Sequence, residues 1–188
     1  MRTAFSLFHS HLDLAHSYWS KLLTREDIVI DATCGNGHDT LFLSQLAAKV
    51  YAFDLQEKAI SSTKTLLGDV SNVHLEARCH STFPANIPQS SVKLIVYNLG
   101  YLPGGNKELT TMTETTLASI KAAEQLIMTG GAISITCYPG HPQGAIEQQK
   151  ILEYVKTLPP QLWNCCFHEW VNRAASPSLL LLQKAREG

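Results

Sequence analysis

Two acidic residues and a pair of glycines have the spacing of a loop that binds a small molecule. The stretch DATCGNGHDT runs from Asp31 to Thr40 and follows a short apolar run at residues 28–30. A second acid, Asp54, ends the next apolar segment in VYAFDLQ. In a parallel sheet the loops after successive strands meet at the carboxyl edge, where ligands bind. We therefore expect Asp31 and Asp54 to face one ligand.

The types of residue in this loop favour a ligand with a ribose and a positive charge but no phosphate. A dinucleotide loop reads GxGxxG, whereas the stretch from Gly35 reads GNGHDT, and the lysine of a GxxxxGK[ST] phosphate loop is absent. Asp54 is placed to accept hydrogen bonds from two ribose hydroxyls, and Asp31 to attract a cation. The glycines let the backbone approach the ligand closely. S-adenosylmethionine fits this description. A strand-to-helix turn that binds no ligand is the alternative, and it explains the two acids and two glycines less well.

Alternating strand-like and helix-like segments must position these residues. Apolar runs predict strands, and apolar positions at three- and four-residue spacing predict helices. We expect the helix at 110–128 to end at Gly130-Gly131, and FHSHLDLAHSYWSKLL to form an additional amphipathic helix. Strands are predicted at 27–32, 49–54, 73–78, 92–98, 131–138, 163–171 and 178–184, and helices at 39–48, 56–66, 110–128 and 145–158.

This order of elements predicts an α/β fold with a mainly parallel sheet and helices on both faces. The last two strands are joined only by residues 172–177, which is too short for a crossover helix, so they should form an antiparallel hairpin. Such a seven-stranded sheet is that of a Rossmann-like class I methyltransferase. We expect one domain over residues 1–188, with residues 1–26 forming a helical extension packed on it.

Composition excludes several classes of protein. The chain has 188 residues and a formal net charge of −1, so any nucleic acid should be bound over a small patch, since proteins that coat it are strongly basic. No apolar run approaches a membrane span, and no secretory signal is recognisable. We expect a cytoplasmic protein without a membrane partner, with five reduced and mostly buried cysteines and without a metal site.

Three stretches together resemble a small bacterial family: DATCGNGHDTLFL, FDLQ and NLGYLPGGNK. This is the MnmM family of tRNA 5-aminomethyl-2-thiouridine methyltransferases, first labelled rRNA methylases. The resemblance covers most of the chain. It implies an S-adenosylmethionine-dependent enzyme that methylates the exocyclic amine of a modified wobble uridine. The chain departs from the family pattern in YPGHPQGAIEQ, where Pro142 and Gln143 precede a single Gly144, and in NRAASPSLLLLQK.

The resemblance and the strand ends together suggest residue roles. Asn98 would accept a hydrogen bond from the substrate amine, and Tyr101 either stacks on a base or is ordinary packing. The proton acceptor is left open among Asp31, His9, His11, His38 and His141. The predicted catalytic set is Asn98, Asp31 and Tyr101, and the predicted cofactor-binding set is Asp31, Thr33, Gly35, Asn36, Gly37, His38, Asp39, Asp54, Gln56, His80 and Asn98.

The expected substrate is tRNA, bound through its anticodon stem-loop, and a homodimer is possible. Alternatives are another RNA such as ribosomal RNA, a small-molecule amine, and a non-enzymatic module that only binds S-adenosylmethionine. The NLGYLPGG loop argues against the last, because a sensor needs no group on the acceptor side. A basic rim that includes Lys107 or Arg173 would favour RNA over a small molecule.

Overall fold

The computed structural model describes residues 7–102, 110–173 and 175–185, and these form five helices and seven strands. In chain order they are α1 (His11–Leu22), β1 (Ile28–Asp31), α2 (His38–Ser44), β2 (Lys49–Asp54), α3 (Glu57–Leu67), β3 (Val73–Ala77), β4 (Val92–Asn98), α4 (Thr113–Leu126), β5 (Ile127–Cys137), α5 (Pro142–Val155), β6 (Trp163–His168) and β7 (Ser178–Lys184).

All seven strands form one sheet in the order β3-β2-β1-β4-β5-β7-β6. The strands from β3 to β5 are paired in parallel. The last two strands form the expected hairpin, in which β7 is antiparallel to both β5 and β6. The predicted fold class is confirmed. The strand order reverses between β1 and β4, and ligands of such sheets bind in the crevice at the carboxyl ends of the strands there.

Each central strand buries side chains on both faces, because alternate residues point in opposite directions. In β1, Ile30 faces the core formed with α4 and α5, whereas Val29 faces the core formed with α1 and α2. In β4, Ile95 and Leu94 divide between the two cores in the same way. The continuous apolar runs of the sequence therefore result from a sheet covered on both faces.

The N-terminal helix is part of the second of these cores. Ser10 caps it by accepting a hydrogen bond from the backbone N–H of Asp13 at 3.1 Å. Its inner face buries Ala15 and Trp19, which are 0% and 1% exposed. This contact places the start of α1 beside the crevice. Among the described residues no helix is long and apolar enough to cross a membrane.

The predicted junction between α4 and β5 is wrong. Gly130 and Gly131 do not end the helix but lie inside β5. The strand bulges there, since its pairing with β4 skips from Ile127 to Ala132. Gly130 has φ +74°, and a Cβ on Gly131 would lie 2.8 Å from the carbonyl oxygen of Lys93. The glycines thus allow a bulge and a close approach between strands.

The starts of α4 and α5 also differ from the prediction, that of α4 because tertiary contacts compete with helix formation. α4 begins only at Thr113, because Thr110 pairs with Tyr101 and the N–H of Thr111 donates to the Gly100 carbonyl at 3.0 Å. α5 begins earlier than predicted, at Pro142, a residue type favoured at the first helical position.

α2 and β6 are shorter than predicted, ending at Ser44 and His168.

The cysteines are less buried than expected. All five are free thiols; Cys34 and Cys137 are buried, but Cys165 and Cys166 are exposed. The reason is that the adjacent pair lies on β6, the edge strand of the sheet.

Candidate active site

Asp31 ends β1 as a completely buried carboxylate. It accepts hydrogen bonds from the hydroxyl of Thr40 at 2.6 Å and from the backbone N–H of Thr33 at 3.3 Å. Burial, together with the nearby charges of Asp39 and Asp54, raises the pKa of Asp31 to about 7, and the hydrogen bonds from Thr40 and Thr33 oppose the rise. A cationic ligand placed beside these acids would lower the cost of ionising Asp31.

The glycines after β1 adopt conformations that other residues rarely accept. Gly35 has φ +54° and Gly37 has φ +87°. A Cβ on Gly37 would lie 2.8–2.9 Å from atoms of Thr63. The hydroxyl of Thr63, a buried residue of α3, donates to the Gly35 carbonyl at 3.0 Å. The loop is therefore clamped between α2 and α3, and its shape depends on both glycines.

Asp54 joins the first loop to the second. One of its carboxylate oxygens accepts the N–H of Gly35 at 3.0 Å, and the other accepts the N–H of Gln56 at 2.9 Å. Burial raises the pKa of Asp54, and these two backbone hydrogen bonds oppose the rise. A carboxylate has about four lone-pair sites, so acceptor capacity is left for a ligand.

Asn98 ends β4 beside this loop. Its backbone N–H donates to the hydroxyl of Thr33 at 2.7 Å, and its side-chain amide donates to Asp39 at 2.6 Å. Its side-chain carbonyl oxygen is buried and has no hydrogen-bond partner among the described residues. Leaving such a group unpaired costs about 1–3 kcal/mol, which a ligand donor would relieve.

Asp39 is held from two sides. While one carboxylate oxygen accepts from Asn98, the other lies 2.7 Å from Nε2 of His16 on α1. The imidazole ring of His16 stacks on Phe42, with ring centroids 4.1 Å apart and an interplanar angle of 11°. Asp39 therefore connects the N-terminal helix to the end of β4.

A histidine and a tyrosine meet beside Asp39. Nε2 of His11 lies 3.3 Å from the hydroxyl of Tyr138, which follows β5. Burial lowers the pKa of His11, partly offset by Asp13 and Asp39. Burial, together with the charge of Asp39, raises the pKa of Tyr138 to about 12. At neutral pH a neutral imidazole and a neutral phenol thus lie on this side of the site.

Tyr101 lies at the surface near the same edge. It is 39% exposed, and its ring centroid is 5.7 Å from that of His141. His141 caps α5 by accepting the N–H of Gly144 on Nδ1 at 3.1 Å. A Cβ on Gly144 would collide with the carbonyl oxygen of Tyr138 and the His141 ring, so a residue with a side chain does not fit at this position.

A buried acid anchors the chain that follows β4. Glu147 of α5 accepts hydrogen bonds from the hydroxyls of Thr111 at 2.6 Å and Thr116 at 2.7 Å. The N–H of Gly100 donates to the Thr111 hydroxyl at 2.9 Å. Burial raises the pKa of Glu147, and the two threonines oppose the rise. Residues 103–109, which include Pro103 and Lys107 of the predicted loop and rim, lie outside the described residues.

Two predicted cofactor residues follow the neighbouring strands, Gln56 after β2 and His80 after β3. His80 is 9% exposed, and its Nε2 lies 3.4 Å from the hydroxyl of Thr116. Burial lowers the pKa of His80 to about 4, so it is a neutral interior histidine. Gln56 precedes α3 and contacts Asp54 through its backbone.

The structure brings most of the predicted set together. Thr33, Gly35, Asp39, Asp54 and Asn98 are joined to one another or to Asp31 by hydrogen bonds or by charge. His9 and His38 are exposed and Asn36 is partly buried. Among the described residues no group of three or more potential ligands is arranged to hold a metal ion.

Sequence reasoning missed Thr63, Tyr138 and the role of His16. Thr63 and His16 lie on helices. The apolar spacing of those helices predicts which side chains pack against the core and does not indicate a role for these polar residues. Tyr138 had a usable signal, because it directly follows β5, the strand next to β4, and the ends of neighbouring parallel strands meet at one edge.

Comparison with known proteins agrees with this geometry. A curated protein of Arabidopsis thaliana, "tRNA (mnm(5)s(2)U34)-methyltransferase, chloroplastic", is 38% identical over 187 residues, covering 92% of this chain and 68% of that protein. A "putative rRNA-methylase" from Clostridium thermocellum superposes with a TM-score of 0.89 at 34% identity, covering 94% and 98% of the two chains. A "putative methyltransferase" from Streptococcus mutans in complex with SAH gives 0.86 at 35% identity, covering 94% and 99%.

The sheet order, the acid–glycine loop and these relatives define a Rossmann-like methyltransferase. A family model described as "Putative rRNA methylase" matches residues 50–184. The chain belongs to this family.

Proposed function

We propose that this enzyme transfers a methyl group from S-adenosylmethionine to the exocyclic amine of 5-aminomethyl-(2-thio)uridine at the wobble position of tRNA. The observation that best supports an amine acceptor is the buried carbonyl oxygen of Asn98, which no group in the described ranges 7–102, 110–173 and 175–185 donates to. The modified nucleoside is suggested by the name of the Arabidopsis relative. A cytoplasmic location, a single domain over residues 1–188 and a homodimer remain predictions.

The glycine loop fits the cofactor for three reasons. Gly35 and Gly37 give the loop its shape through their positive φ angles, Asp54 retains acceptor capacity for ribose hydroxyls, and Asp31 favours a cation. The cofactor supplies a methyl group on a positively charged sulfur. The Streptococcus mutans relative was crystallised with SAH. The other proposed cofactor contacts are Thr33, Asn36, His38, Asp39, Gln56, His80 and Asn98.

On the acceptor side the chain must orient an amine and accept a proton. A primary alkylamine is mostly protonated at neutral pH and must lose a proton before its lone pair can attack. Asn98 can accept one amine N–H, which leaves the lone pair free to point toward the methyl group. His11 is a candidate base, because burial lowers its pKa and keeps its imidazole neutral. Asp31 is a less accessible candidate, since it is fully buried.

A groove beside His11 supports RNA as the substrate class. The groove has a volume of about 530 Å³, and its walls include Phe8, Trp170 and Arg173. Phe8 and Trp170 meet edge to face at 5.6 Å, and the Arg173 guanidinium lies 4.8 Å from the centre of the Trp170 ring. Exposed aromatic rings and guanidinium groups stack on unpaired bases. Because His11 also lines the groove, a loop nucleotide bound there would lie next to the acceptor side.

Nucleoside mass spectrometry of RNA treated with the purified protein tests this function. The acceptors should include tRNA carrying 5-aminomethyl-2-thiouridine, ribosomal RNA and a small primary alkylamine. We expect the methylated wobble nucleoside to appear as its aminomethyl precursor disappears. Methylation of ribosomal RNA alone, or of the small amine at an equal rate, would overturn the assignment.

Asn98→Ala tests the acceptor role within the same assay. We expect S-adenosylmethionine affinity to stay nearly unchanged and single-turnover methylation to fall by roughly 10²-fold, the scale of a misplaced reacting pair. The matched control is Asn164→Ala, which removes an exposed asparagine of β6 and should leave the rate unchanged. A wild-type rate in Asn98→Ala would make Asn98 only a turn residue.

A further inference from the structure

We infer that His16 of α1 is a positioning residue that acts through Asp39 to orient the amide of Asn98. The part of this inference that concerns catalysis rests on the proposed function. The chain of hydrogen bonds itself is a property of the protein alone and can be tested without any substrate.

The chain of hydrogen bonds consists of two short contacts. Nε2 of His16 lies 2.7 Å from one carboxylate oxygen of Asp39, and the amide nitrogen of Asn98 donates to the other at 2.6 Å. Both distances lie at or below the short end of the range for charge-assisted hydrogen bonds. The side chain of Asp39 is only 13% exposed, so water competes weakly for these contacts.

These links determine which way the Asn98 amide points. A carboxylate accepts hydrogen bonds and cannot donate them. The amide nitrogen of Asn98 must therefore face Asp39, because a flipped amide would place its carbonyl oxygen against a carboxylate oxygen. This leaves the carbonyl oxygen buried, without a donor from the part of the chain that the structure describes, and available to a donor on the substrate.

His16 in turn keeps Asp39 from rotating. Its ring is itself fixed, since it stacks on Phe42 and lies 4.9 Å from the ring of Trp19. Without His16, one oxygen of Asp39 would lose its donor, and the carboxylate could turn toward water and away from Asn98. His16 thus makes the N-terminal helix part of the site.

A role in packing alone explains His16 less well. The side chains of α1 that fill the core are Ala15 and Trp19, and Leu23 follows them just beyond the helix; these three are 0%, 1% and 8% exposed. The side chain of His16 is 30% exposed and, besides stacking on Phe42, makes a polar contact with Asp39. Leu23→Ala therefore provides a control that loosens this segment without touching the chain of hydrogen bonds.

Nitrogen-15 NMR of the side-chain amides tests the chain of hydrogen bonds directly. The Asn98 signal is assigned by its loss in Asn98→Ala. We expect His16→Ala to shift this signal and His16→Gln, which retains a donor, to restore most of its position. Leu23→Ala should leave it in place. The inference would be overturned by an Asn98 signal that does not shift in His16→Ala, or that shifts equally in Leu23→Ala.

Single-turnover kinetics on the tRNA substrate tests the catalytic consequence. We expect His16→Ala to lower kcat about 10-fold with S-adenosylmethionine affinity within about two-fold, since a small misplacement of a reacting group is costly. His16→Gln should recover most of the rate. In an Asn98→Ala background, His16→Ala should add little, because residues acting as one unit are not additive.

The outcomes separate this inference from the proposed function. If Asn98→Ala slows methylation but His16→Ala does not, or if the two effects simply add, the inference is wrong and the function stands. If no RNA is methylated by the wild-type protein, the function fails, and the NMR response decides whether the chain of hydrogen bonds exists. A rate loss in His16→Ala that Leu23→Ala matches at equal thermal stability would also overturn it.

Discussion

Asp31→Asn should stabilise the protein more at pH 8 than at pH 5, because asparagine cannot ionise inside the core. The folded-state pKa of Asp31 is about 7, whereas an aspartate in an unfolded chain titrates near 3.9, an approximate reference value. Folding therefore raises this pKa, and the folded state binds more protons than the unfolded state between these values. The contribution of Asp31 to stability is greatest below about pH 4 and falls as the pH rises toward about 7.

The size of the effect follows from that difference. Each pKa unit corresponds to about 1.36 kcal/mol, so ionising Asp31 in the folded protein costs about 4 kcal/mol in all. About 2–3 kcal/mol of this cost accrues between pH 5 and pH 8. In Asp31→Asn the amide oxygen can still accept from Thr40, while the longer contact from the Thr33 N–H, 3.3 Å, is lost or weakened. That loss is independent of pH and cancels when the two pH values are compared.

Urea unfolding of both proteins at pH 5 and pH 8 measures the effect, provided that both unfold in two states. The free-energy advantage of Asp31→Asn should be about 2–3 kcal/mol larger at pH 8. Asp69→Asn, at an exposed aspartate, controls for the change in net charge and should show no such difference. Equal differences at the two pH values would refute the buried-carboxylate argument. The same variant should bind S-adenosylmethionine more weakly at pH 8, because the ionised acid that favours a cation is gone.

Three further results are expected. Asp54→Ala should weaken S-adenosylmethionine binding by about 1.5–3 kcal/mol in titration calorimetry, because it removes a ribose acceptor and the contact to Gly35; unchanged affinity would contradict the assignment. Gly37→Ala should lower the free energy of unfolding by about 1–3 kcal/mol and abolish cofactor binding, since its Cβ would meet Thr63; Gly68→Ala, at a positive φ of +54° with open space around its Cβ, shows the cost of backbone strain without a clash. Treatment with reductant and chelator should leave activity intact, and a clear loss would show that a disulfide or a metal is needed.

The sequence alone determined the sheet and the position of its binding edge. Asp31 and Asp54 were identifiable because each ends an apolar strand, and strand–helix alternation places such ends at one edge. The short link between β6 and β7 likewise predicted their antiparallel pairing. These patterns are local. They arise from backbone geometry and from the burial of apolar side chains, and both act over a few neighbouring residues.

Only the tertiary structure decided which side chains meet there. His16 and Asp39 are 23 residues apart, and Asp39 and Asn98 are 59 apart; no local spacing relates them. Gly131 looked like a helix terminator, yet its function is to let β5 approach Lys93 on β4. The reason is the same in each case: a hydrogen bond or a close approach between distant segments depends on how helices and strands pack in three dimensions, and the residue types permit such contacts without specifying them.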